Sequence, residues 1–213
     1  MFVQLHLTPC ISKHKRPIIS TALCLVILLF WGNSVKIYAK AFLAKGLIAY
    51  AWHQTIADQQ RHKPWPWADT WPVGKIFFPR LGKTRYILAG GQGASLAFGP
   101  GLLDGTAKPS ERGTKIIGGH RDTHFSFLKG LEIGDIFLLQ GDDGKTHYYQ
   151  LDSTHIVDSR TGEWRYTPEE NEVHLITCYP FDSMRSGGPL RFVAIAKPKF
   201  VKSEKTGKNN SVI

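Results

Sequence analysis

At 213 residues the chain is long enough for one domain with appendages around a single sizeable core. Its 21 glycines and 12 prolines separate many short apolar runs, the pattern of an all-β domain with many turns. The formal net charge of +10 sits mostly in the tails, +3 in residues 1–16 and +4 in residues 197–208, and no basic stripe interleaved with aromatics remains to serve a nucleic acid.

Residues 1–16 read as a polar cytoplasmic tail ending in Lys13-His14-Lys15-Arg16. From Pro17 to Trp31 only Ser20 and Thr21 are polar, and the run extends to Val35 if Gly32, Asn33 and Ser34 are tolerated. Roughly twenty residues are needed to cross a bilayer, so residues 17–35 are expected to form a single-pass anchor. The alternative is a cleaved signal peptide, but its A-x-A-like site, Ala39-Lys40-Ala41, lies far beyond the apolar core. The lysines flanking the span nearly tie the positive-inside count, and the basic cluster directly against the run favours an inside N-terminus. Residues 36–72 read as a helical stalk followed by a strap in which Trp65, Trp67 and Trp71 alternate with Pro64, Pro66 and Pro72. Prolines stiffen such a segment and tryptophans bury large area, which favours packing on the domain over a membrane-interface belt.

The remaining domain, 73–198, carries about eight expected strands: 75–79, 85–89, 114–119, 136–140, 145–151, 154–157, 173–178 and 190–196. Gly90-Gly91-Gln92-Gly93 lacks the Gly-Lys-Ser/Thr ending of a phosphate loop and reads as a flexible loop. A short helix is expected before Phe98-Gly99-Pro100-Gly101 and a helical turn at 125–128. Gly141-Asp142-Asp143-Gly144 has hairpin chemistry. Residues 160–172 read as an irregular loop over the site, and 199–213 as a disordered basic tail.

Three strand ends carry chemistry. Thr114–Gly119 ends on His120, Val173–Thr177 ends on Cys178, and Leu190–Ala196 starts with Arg191. A thiol, an imidazole and a guanidinium so placed are the parts of a nucleophilic acyl-transfer site. Cys178 is also the only cysteine of the soluble part, since Cys10 and Cys24 fall before or inside the apolar run, so an internal disulfide there is excluded. Cys178 is the expected nucleophile and His120 the general acid and base. Arg191 would donate its fixed fork of N–H groups to a developing oxyanion, with Arg121 and Arg185 as rival arginines. Asp122 is a candidate to orient the His120 ring, with a solvated turn aspartate as the alternative. Thr177 is a supporting residue. His120, His124 and Cys178 also suit zinc by ligand type, but a His-x-x-x-His pair needs a helix, and Gly118-Gly119 speak against one. No metal or other cofactor is expected.

Thr177-Cys178 closing a strand, Arg191 on the next one and His120 well upstream resemble the signature of the sortases, the cysteine transpeptidases of bacterial cell surfaces. The resemblance covers residues 73–197. Gly119-His120-Arg121-Asp122-Thr123-His124-Phe125 looks like the class D and proteobacterial class GN branches, and Trp65-Pro66-Trp67-Ala68-Asp69-Thr70-Trp71-Pro72 like class GN. His174 departs from the pattern, standing where a threonine is often found. The resemblance implies a closed eight-stranded β-barrel with short helices. It also implies a substrate protein with a C-terminal sorting motif similar to Leu-Pro-x-Thr-Gly, cleaved through a Cys178 thioester that an amine on the cell surface resolves. The implied location is the bacterial cytoplasmic membrane, with the catalytic domain facing outwards. Two rival readings are an L,D-transpeptidase-like peptidoglycan enzyme, which would show a histidine and glycine where Ile176-Thr177 stand, and a membrane-anchored binding module with a structural cysteine.

Overall fold

The computed structural model describes residues 15–93, 95–162, 164–183 and 187–200. The chain divides into two units, 1–43 and 44–213. Helix α1 (Lys15–Asp58) takes in the expected anchor and stalk without a break at residue 36. It ends where Gln59 turns to φ 60° and its N–H bonds the Thr55 carbonyl, a left-handed C-terminal cap. Among the described residues no helix is long and apolar enough to cross a membrane. Within the second unit, α1 buries Ala44, Ile48, Ala51, Trp52 and Thr55.

The strands are β1 (Pro72–Phe78), β2 (Lys83–Ala89), β3 (Gly101–Leu102), β4 (Lys115–Gly118), β5 (Ile136–Gly141), β6 (Thr146–Asp158), β7 (Val173–Cys178) and β8 (Leu190–Pro198). They close a barrel in the order β1-β2-β3-β4-β7-β8-β6-β5. The β2·β3 and β4·β7 seams are parallel and the rest antiparallel. The period of two in each strand decides what faces inwards. Ile76 and Phe78, Phe137 and Leu139, Tyr149 and Leu151, Val173 and Leu175, and Ala194 and Ala196 fill the interior with Ile87, Ile117, Phe125 and Leu128. Phe78 meets Phe127 edge-on at 4.9 Å, and Phe137 stacks on Tyr149 at 5.8 Å.

The strand count matches the expectation of eight, but two strands differ. The runs 145–151 and 154–157 are one strand, β6, whose pairing with β8 slips between Leu151 and Ser153. That bulge bends the strand without ending it, so a local polar break misled the sequence reading. The two-residue β3 has no counterpart among the expected strands; its Gly101 belongs to the Phe98–Gly101 stretch expected to close a short helix. Gly101 is needed there because a Cβ would collide with the backbone of Gly90, which allows the close approach to β2. Helix α2 (Ser95–Phe98) and a 3-10 helix (Ser126–Gly130) stand where short helical turns were expected.

The Trp/Pro segment packs on the barrel in part. Trp65 meets Phe98 edge-on at 5.0 Å, Thr70 Oγ1 donates to the Ala89 carbonyl, and the Ala89 N–H donates to Trp71. Trp67 is 81% exposed and belongs to no such contact. The loop 160–172 is fastened at the far end of β4 from His120: Thr114 Oγ1 donates to the Thr167 and Glu170 carbonyls, and the Lys115 N–H to Glu172. The final 201–213 stretch lies outside the described residues.

Candidate active site

In β7, Val173, Leu175 and Thr177 point into the barrel and are almost fully buried, so His174, Ile176 and Cys178 share the outer face. Cys178 is a free, half-buried thiol on the last residue of the strand. The antiparallel register places Arg191 of β8 directly opposite it, a pairing in which side chains on one face are neighbours. The loop between them turns at Gly187, with φ +80°, and closes when the Tyr179 N–H donates to the Leu190 carbonyl. Arg191 Nη1 donates to the carbonyls of Gly188 and Leu190, which anchors one arm of the guanidinium and leaves Nε and Nη2 to donate elsewhere.

β4 runs parallel to β7 with Gly118 opposite Ile176. The ladder continues one residue past the strand: the Gly119 N–H donates to the Ile176 carbonyl at 3.0 Å. From the other side Thr177 Oγ1 donates to the Gly119 carbonyl at 2.7 Å. These two bonds clamp the backbone of Gly119 to β7 and deliver the exposed His120 to the strand end that carries Cys178. Gly119 must lack a side chain, since a Cβ there would lie 2.7 Å from the Phe125 ring. The turn after His120 closes when the Phe125 N–H donates to its carbonyl.

The other candidates separate clearly. Arg121 is 8% exposed, and its Nη2 donates to the Ser183 carbonyl at 2.8 Å, tying the turn after His120 to the segment after Cys178. Arg185 lies outside the described residues. Asp122 is exposed and makes no hydrogen bond or ion pair among the described residues. His174 is buried, with Nε2 2.7 Å from Glu172 Oε2 and its ring against Trp164. Among the described residues no group of three His, Cys, Asp or Glu side chains could hold a metal.

His124, weighed from sequence only as a metal ligand, lies beside His120 with ring centroids 6.4 Å apart. Burial holds its pKa below the ordinary histidine value, with the Arg85 guanidinium as the next cause. Arg85 Nε donates to the His124 carbonyl at 3.1 Å, and its guanidinium lies over the Phe127 ring. A second histidine four positions after the first was the available signal, but the neighbouring arginine comes from β2 and leaves no trace in the local sequence.

A family model described as the sortase domain matches residues 76–199. The chain is 32% identical to Sortase D of Bacillus subtilis (strain 168) over 125 residues, 58% of this chain and 62% of that relative, so it spans less than two thirds of the relative's length. Among solved structures it is similar to the catalytic domain of B. anthracis SrtD, at 34% identity and TM-score 0.50 over 61% of this chain and 88% of that one. It is also similar to sortase C-1 from Actinomyces oris, at 26% identity and TM-score 0.52 over 61% of this chain and 74% of that one. With the matched segment taking in β4, β7 and β8, the strands that carry His120, Cys178 and Arg191, the chain belongs to the sortase family.

Proposed function

We propose that the protein is a cysteine transpeptidase that cleaves a C-terminal sorting motif similar to Leu-Pro-x-Thr-Gly and passes the acyl group to an amine. The observation that carries this reading is the register pair Cys178–Arg191 beside a clamped His120 strand end. The Cys178 thiolate attacks the Thr carbonyl carbon, and the carbonyl oxygen becomes an oxyanion facing the free arms of Arg191. Collapse of this intermediate expels the amine of the following residue, which takes a proton from His120. An incoming amine gives up a proton to His120 and resolves the thioester. Membrane attachment through residues 17–35, with the barrel outside the cytoplasm, belongs to the same proposal and rests on the apolar run of the sequence. The class GN assignment rests on Gly119–Phe125 and Trp65–Pro72.

The test is incubation of the full chain with a library of sorting-motif peptides, scoring cleavage and the acyl-enzyme mass. Cleavage is expected, with the added acyl mass on Cys178, and none from Cys178→Ala. Retained cleavage in Cys178→Ala would sink the mechanism.

A further inference from the structure

Lys115 opens β4 on the inner side of the barrel, opposite Val173, and is 1% exposed. A lysine so buried is ordinarily matched by a carboxylate, because an unpaired ammonium away from water is costly. Here the partners of Nζ are neutral: the Gly113 carbonyl and Asn171 Oδ1, each at 2.7 Å. The nearby acids are engaged elsewhere, Glu111 with Lys108 and Glu172 with His174. Burial accordingly lowers the amine to about 8, with the charge of Glu111 pulling it back up. About a tenth of it is therefore the neutral, nucleophilic form at pH 7, far more than for an ordinary lysine. Tyr149 Oη donates to the same Asn171 Oδ1 at 3.3 Å, and burial pushes its own pKa up to about 12, so it stays a donor. The Lys115 backbone is held beside Asn171 by its N–H bond to the Glu172 carbonyl.

We propose that Lys115 and Asn171 form an intramolecular isopeptide bond joining the start of β4 to the segment that leads into β7, two residues before Val173. The Nζ lone pair attacks Cγ of Asn171, and Tyr149 hydrogen-bonds the oxyanion that develops on Oδ1. The Cγ–Nδ2 bond then breaks, and Nδ2 leaves as ammonia with a proton from Nζ. One amide replaces another, nothing is oxidised or reduced, and the buried cation disappears. The covalent link closes a loop across 56 positions and pins together the two strands that carry His120 and Cys178.

Intact mass spectrometry of the purified full chain, followed by peptide mapping, tests this directly. The chain is expected to be lighter than its sequence by one ammonia and to yield a branched peptide containing both Lys115 and Asn171. Lys115→Arg and Asn171→Ala should each keep the full sequence mass. Full mass in the parent chain, with the two residues in separate unbranched peptides, overturns the proposal, and so does an ammonia loss that maps elsewhere. None of these readouts depends on catalysis, so failure here leaves the proposed transpeptidase chemistry standing.

Discussion

Arg191 is anchored through one arm and free through the other, and that asymmetry decides what a lysine can replace. A lysine in its place supplies the charge but not a planar fork held by Gly188 and Leu190. If the free arm binds the oxyanion, Arg191→Lys lowers kcat by roughly a hundredfold to a thousandfold, the usual cost of one oxyanion donor, while the pH dependence of Cys178 alkylation hardly moves. Near-normal kcat with a shifted thiol titration would make Arg191 a thiolate partner instead. His124 offers a second handle. Its folded-state pKa is depressed by burial and then by Arg85, so the unfolded chain binds its proton first as pH falls. Stability contributed by neutral His124 is therefore present above the ordinary value of 6.5 and declines as pH drops below it. His124→Gln should flatten that part of the urea-midpoint profile, and an unchanged slope would place the titration elsewhere. The thiol, imidazole and guanidinium were legible because each sits at a strand end marked by glycine, proline or a cysteine. The Arg85–His124 contact was not, because it depends on how β2 packs against the turn after His120.

Elements were legible where the apolar alternation ran uninterrupted, as in β1, β5 and β7. They were missed where geometry overrode pattern: β3 is two residues long, and β6 runs through its own bulge. The role of α1 was underestimated in a similar way. Read as a stalk, its last four turns in fact bury Trp52 to 2% exposure within the unit that contains the barrel. Trp52→Ala should therefore cost about 3–5 kcal/mol, the range for deleting a buried aromatic side chain. Urea denaturation followed by circular dichroism would measure it, and a loss under about 1 kcal/mol would show the helix to be a spacer after all.

At the scale of the whole molecule, the positive charge gathers in the two tails and the barrel itself is nearly balanced. The sheet meets itself at the β1·β5 seam, so every strand has a neighbour on both sides. Such a ring leaves little edge to which an extended peptide could add itself as a further strand, chiefly residues 83–87 of β2, which the two-residue β3 does not pair. Main-chain hydrogen bonding of the sheet, which is indifferent to sequence, is largely used up along the strand that ends on Cys178, since β7 is paired with both β4 and β8. Under the proposed function, recognition then falls to side chains and to the segment 179–189 that connects Cys178 to β8. Choice of substrate is then separable from the barrel: exchanging that segment between relatives should carry the preference with it while the scaffold stays the same.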